Sequence, residues 1–190
     1  AVAGGRVHDC LVASGVALSG TVRVSDGARF SMTGGAIENN DARAAHNQRS
    51  TSGVLLDGHA TGEMSGGTIS GNRAHRGAAL LLYGFDDAHR TSFELSGGTI
   101  SDNECSSVLG NEDSGAVHVD NNAELHMTGG SISNNRGEQG AGVCVVDWAL
   151  QANQPESRTA FVMDGGVISG NEGKNGGGIY SYSNGVELRA

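Results

Sequence analysis

The stretch "FSMTGGAIENN", Phe30–Asn40, decides the fold because the chain writes it five times. The other copies are "EMSGGTISGN" (Glu63–Asn72), "FELSGGTISDN" (Phe93–Asn103), "LHMTGGSISNN" (Leu125–Asn135) and "FVMDGGVISGN" (Phe161–Asn171). First glycines of the pairs follow one another at 32, 31, 32 and 36 residues. A sixth, degenerate copy opens the chain as "GGRVHDC", with Val7 for the isoleucine and Cys10 for the asparagine. Self-similarity at this period marks a repeat architecture.

Aligned copies give columns. Ile37, Ile69, Ile100, Ile132 and Ile168 form one, and Asn40, Asn72, Asn103, Asn135 and Asn171 another, three residues later. Before the glycines run Met32, Met64, Leu95, Met127 and Met163, and two residues earlier Phe30, Gly62, Phe93, Leu125 and Phe161. Apolar residues at every second position have the period of a strand. A further strand precedes each copy, seen in Val22/Val24, Val54/Leu56 and Val117/Val119. Each repeat therefore reads as three short strands: the V-x-V segment, one ending at the methionine, and one around the isoleucine.

Three strands in about 32 residues fit neither WD40 blades nor leucine-rich repeats, whose signatures are missing, and no helical stripe supports ankyrin or tetratricopeptide units. A parallel β-helix fits: all-β, right-handed, about six turns, three short strands per turn, and roughly 25–30 Å long at the spacing of paired strands. The isoleucine, methionine and phenylalanine columns are then inward ladders. The paired glycines are expected at a sharp corner. The asparagines are expected to stack at another, bonding to one another and to the bend. N-x-S/T glycosylation fails at all five of these asparagines.

The repeat resembles the right-handed β-helical repeats of bacterial surface proteins. Gly34-Gly35-Ala36-Ile37 is a literal GGAI, as in chlamydial polymorphic membrane proteins, and "GGTISGN" is similar to runs in gut bacterial adhesin-like proteins. The chain departs in carrying I-x-x-N where the chlamydial motif has F-x-x-N. The resemblance covers nearly the whole chain. It implies a secreted or cell-surface bacterial protein, with residues 1–190 forming a single β-helix domain cut from a longer protein.

Composition bounds the function. With 32 glycines, one proline, 4% aromatics and 37% hydrophobic residues, the chain suits a thin rod with a narrow core. A net charge of −9 leaves no basic stripe for nucleic acid or anionic lipid. No run approaches the roughly 18 apolar residues of a spanning helix, so no membrane insertion is expected. Cys10, Cys105 and Cys144 match no metal spacing, and burial as small apolar residues is expected for them. No metal or other cofactor is expected.

Function in a solenoid sits where the frame is broken. "YGFDDAHRTS" (Tyr83–Ser92) and "VDWALQANQPESRT" (Val146–Thr159) interrupt the same place in two repeats, so both leave at one corner, about 10 Å apart. The repeat between them has only "DNNAE", which predicts a notch flanked by two loops. Tyr83, Phe85, Asp86, Asp87, His89, Arg90, Asp147 and Trp148 are the candidate ligand residues, since exposed aromatics beside carboxylates stack and hold sugars. The alternative is that Trp148 and Phe85 fold back to fasten their own loops. Longer loops also follow the asparagine corner at residues 41–52 and 104–114, where Glu112 and Asp113 read as solvated.

Catalytic sets are hard to find. There is no G-x-S-x-G, zinc or phosphate-loop motif, and no column of acids in consecutive turns. Asp86 or Asp87 with Asp147 could approach a glycosidase spacing. The expectation is a non-catalytic structural or adhesive module, binding glycan or a host partner through the two loops. The alternatives are a carbohydrate-active enzyme of the glycosidase or polysaccharide-lyase type, or a filament subunit associating end to end.

Overall fold

The computed structural model describes residues 4–13, 18–45, 50–85, 90–106, 115–147, 158–183 and 185–189. Among these, the regular structure is strand, in three sheets whose neighbours are all parallel. Each neighbour is the equivalent segment one repeat away: Val22↔Val54, Val117↔Val143 and Ile37↔Ile69 are register partners. The chain is a parallel β-helix of about five turns, with the architecture of the right-handed class. The isoleucine column is six rungs deep, counting Val7.

The strand assignment differs from the sequence expectation at the glycines. Residues Arg29–Glu38, Thr61–Ser70 and Thr91–Ser101 each run straight through Gly-Gly as one strand. The methionine and isoleucine segments thus belong to one sheet, and the glycines form a bulge in it, not a corner. Register slips there, from Met32↔Met64 to Thr33↔Gly66 and back to Ala36↔Thr68. In a later repeat the N–H groups of Thr128 and Gly129 both donate to the Leu95 carbonyl, at 2.9 and 3.2 Å, which is two residues opposing one.

The two glycines are required for different reasons. A Cβ on the first, Gly97, would lie 2.4 Å from the Ser65 carbonyl oxygen of the preceding turn. The second, Gly98, has φ +85°, a left-handed conformation that L side chains rarely adopt, and a Cβ there would lie 2.6 Å from Met64 Cε. The methionine methyl thus occupies the space under the next turn's glycine, so the two columns are matched.

The third sheet lies past the asparagine, in Arg73–Ala74, Glu104–Cys105, Arg136–Gln139 and Glu172–Asn175. Its first two strands are two residues long and carry no alternation to read. One column there alternates in charge, Arg73↔Glu104↔Arg136↔Glu172, with ion pairs of 3.4 Å (Arg73–Glu104) and 2.8 Å (Arg136–Glu172).

Inside the rod, Phe30, Met32, Ile37, Val54 and Leu56 and their copies form one continuous core. Each such side chain contributes about 1.5–3 kcal/mol on burial. Gly62 breaks the phenylalanine column, and its neighbours close the gap: the Phe30 and Phe93 rings stack across it with centroids 6.3 Å apart. The V-x-V sheet is buried on its outer face too, since Leu55, Leu81, His118 and Cys144 are all inaccessible. Cys105 is buried as expected, but Cys10 is exposed.

The asparagine column is hydrogen-bonded throughout. Asn103 Oδ1 accepts from both the main-chain N–H and Nδ2 of Asn72, each at 3.0 Å. Its own Nδ2 donates to the Ile69 carbonyl at 3.0 Å and to Asn135 Oδ1 at 2.9 Å. That is the whole capacity of an amide's two N–H groups and two lone pairs. Asn72 and Asn135 repeat the arrangement, and the ladder ends at Asn171 on one side and at the Cys10 N–H on the other.

Candidate functional site

The strands that begin the two insertions fall in one column: Tyr83 and Val146 both pair with Asp120. The insertions therefore leave one corner, two rungs apart. Asp86, Asp87, His89 and Trp148, among the candidate residues, lie outside the described residues, as do Glu112 and Asp113 of the other loop.

Between the insertions stand Asn121 and Asn122, both with left-handed φ, 47° and 62°. Asn121 Nδ2 donates to the Tyr83 hydroxyl at 2.7 Å. Asn122 ties down the far insertion: its N–H donates to Thr159 Oγ1 at 2.9 Å, and its Oδ1 accepts from the Arg158 N–H at 2.8 Å. Arg90, at the end of the first insertion, pairs with Glu124 at 2.9 Å and donates through Nη2 to the Arg158 carbonyl. Where an open notch was expected, the described residues show this gap crossed by Arg90 and filled at its base by two asparagines.

Of the other candidates, Tyr83 is buried and meets Phe85 edge-on, with ring centroids 5.3 Å apart. Phe85 itself is 57% exposed, so contact with Tyr83 leaves most of its ring available. Asp147 is buried, and its N–H donates to the Tyr182 carbonyl at 3.3 Å. A ligand at the rod surface meets Phe85 and Arg90, not Asp147.

Beside this corner, the outer face of the glycine-bearing sheet holds a groove of about 450 Å³, lined by residues of four successive turns, among them Arg29, Glu63, Ser92, Glu94, Glu124 and His126. Glu124 belongs to both the groove and the Arg90 contact. Glu63 and Glu94 are register partners, so one column does carry acids in consecutive turns, contrary to the sequence reading. Gly62 is part of the groove's lining, and the core fills the space behind it: a Cβ there would lie 2.4 Å from Phe93 Cδ2.

Most of the groove's charges are paired along the rod. Arg29 holds Glu63 at 2.6 Å, and His126 Nε2 lies 2.6 Å from Asp164 Oδ2. Glu63 is held below the usual carboxylate range, first by a hydrogen bond from Ser31 and then by Arg29. Asp164 is lowered chiefly by its bond to His126.

A second polar group lies under the covered face of the V-x-V sheet. Asp120 Oδ2 is 3.6 Å from Arg76 Nη1 and 3.8 Å from His118 Nε2, and all three residues are buried. This group closes the outer face and offers no surface to a ligand. Cys105 is equally enclosed: its thiol donates to the Gly115 carbonyl at 3.0 Å, and burial pushes it up to about 12. Among the described residues, no group of three His, Cys, Asp or Glu could hold a metal ion, and no helix is long and apolar enough to cross a membrane.

Neither a family model, nor a curated protein, nor a solved structure matches the chain.

Proposed function

We propose that this chain is a non-catalytic structural and adhesive module of a secreted or cell-surface bacterial protein, which binds glycan at the insertion corner and the adjoining groove. The supporting observation is how the groove's carboxylates are held. A glycosidase needs one carboxyl kept protonated, with its pKa raised. Here Glu63 is lowered and Glu124 is paired with Arg90. Two carboxylates neutralised in advance, hydroxyls and an exposed aromatic are the equipment of recognition.

One feature favours the enzymatic alternative. Glu63 and Glu94 sit on adjacent strands, about 4.8 Å apart at the backbone, close to the roughly 5–5.5 Å between carboxyls in retaining glycosidases. The deciding experiment is a glycan array followed by product analysis on the bound glycans. Adhesion predicts binding without released sugar, weakened about 2- to 12-fold in Phe85→Ala, the worth of one aromatic contact. Released product, abolished in both Glu63→Gln and Glu94→Gln, sinks the adhesive reading and establishes the enzyme.

A further inference from the structure

The groove has a direction, and the corner has a coupling; together they restrict what binds. The groove crosses strands, because its lining comes from four turns at equivalent positions: Arg29, Thr61, Ser92 and Glu124 are successive register partners. It therefore runs along the rod axis. Three rung intervals span about 14 Å at the strand spacing, the length of a short chain of sugar rings and not of one. Each rung offers hydrogen-bonding groups at the same height, so an extended repeating ligand meets equivalent partners ring after ring.

Charge narrows the class. Arg29 holds Glu63 and Arg90 holds Glu124, while among the described residues no cation is paired with Glu94, which stands between them. The groove's centre keeps a carboxylate on a chain of net charge −9, which disfavours a polyuronate.

The two insertions cannot move independently at their bases. Arg90 ends the first and donates to the carbonyl of Arg158, near the end of the second. Asn122 fixes Arg158 and Thr159, while its neighbour Asn121 fixes Tyr83. We propose that the ligand is an extended, uncharged oligosaccharide of at least three rings lying along the rod axis, and that Arg90 and Asn122 are positioning residues that hold Tyr83, Arg158 and Thr159 beside it as one element. This rests on the adhesive reading above.

The test is calorimetric titration with three size series, each from one to six rings: β-1,4-linked glucose, β-1,4-linked N-acetylglucosamine, and galacturonate. A neutral series is expected to gain at least ~10-fold in affinity from one ring to three and to level off by about four, as the groove's rung count dictates. Galacturonate oligomers of equal length bind at least ~10-fold more weakly, from like-charge repulsion. Arg90→Ala, Asn122→Ala and Glu124→Gln each weaken the long oligomers, and Asn122→Ala, which touches no groove residue, does so while leaving the single sugar unmoved. The Arg90→Ala/Asn122→Ala double variant loses less than the two single effects combined, as expected for residues serving one element. Glu124→Gln guards against misfolding, because it frees Arg90 without removing it.

A single sugar that binds as tightly as the hexamer overturns the proposal, as does equal binding of galacturonate. Unchanged long-oligomer affinity in all three variants overturns the positioning roles. If none of the three series binds while the glycan array shows other ligands, this proposal fails and the adhesive reading stands. An empty array removes both.

Discussion

Replacing Asn103 by alanine tests the physical basis of the rod. Asn103 is 1% exposed and makes four amide hydrogen bonds, two accepted from Asn72 and two donated, to Ile69 and to Asn135. Asn103→Ala strands the Asn72 main-chain N–H in a buried bend. It also takes one bond each from the Asn72 side chain, the Ile69 carbonyl and the Asn135 amide oxygen. A stranded buried donor costs about 1–3 kcal/mol and each further lost bond about 1 kcal/mol, so the variant should lose about 4–6 kcal/mol. That is a large share of the roughly 5–15 kcal/mol that holds a domain together. Asn171→Ala is the control. It removes three bonds at the last, partly solvated rung, where water replaces some of what is lost, and about 1–2 kcal/mol is expected.

Asn103→Asp separates hydrogen bonding from shape. The carboxylate still accepts from Asn72, but its other oxygen faces the Ile69 and Asn135 acceptors with nothing to donate. Those acceptors and burial push this carboxyl above its ordinary value near 4. The folded state then binds the proton more tightly than the unfolded chain, so this variant gains stability as pH falls through the raised value. Relative to the parent, Asn103→Ala carries no such pH dependence. Urea unfolding followed by circular dichroism at pH 4 and pH 7 measures all three variants. A loss under about 1 kcal/mol in Asn103→Ala, or one equal to that in Asn171→Ala, refutes the claim that the saturated ladder sets stability.

The remaining expectations concern glycine and cysteine. Gly97→Ala drives a Cβ to 2.4 Å from a ladder carbonyl and should cost about 1–3 kcal/mol beyond Gly27→Ala, which adds only left-handed strain at φ +77° in open space; thermal melts of the pair compare them. Among the thiols, a colorimetric disulfide reagent should titrate one group in the native protein, the exposed Cys10, and all three after unfolding in urea. Native reactivity that survives Cys10→Ser would show that Cys105 or Cys144 is accessible.

How much of this was legible depends on which physical signal each element leaves. Inward columns and the asparagine ladder could be read because burial and self-bonding impose one residue type at every rung. The residue just before each asparagine, and before Cys10 in the first copy, leaves a signal too: Asp9, Asn39, Gly71, Asp102, Asn134 and Gly170 all have left-handed φ, and all belong to the set that tolerates it. The covered face of the V-x-V sheet also leaves a trace, since "VLL", "LLL" and "VCVV" are continuous apolar runs, the mark of strands buried on both sides. By contrast, Gly-Gly reads alike as a corner and as a bulge. What decides it is the approach of one turn's carbonyl to the next turn's glycine, a distance between segments some 32 residues apart. The third sheet is settled the same way, by neighbours and not by its own strands of two to four residues. At the insertion corner, Arg90 and Asn122 were illegible as positioning residues because their partners, Arg158 and Thr159, are more than 35 residues away.

The ladder also explains why the frame tolerates insertion at one corner and not at another. At the asparagine bend every amide is consumed by its neighbours above and below, so an extra residue in one turn would break bonds in three. At the corner after the V-x-V strand, the turns hold together through different groups in each repeat: Gly27 donates to the Gly58 carbonyl, Asn121 bonds Tyr83, and Asn122 bonds Thr159. No single column has to be continuous there. Sequence can therefore vary without unzipping the stack, and the groove beside that corner inherits the variation. A rod whose stability comes from one edge and whose diversity collects at another can change what it binds while keeping its fold.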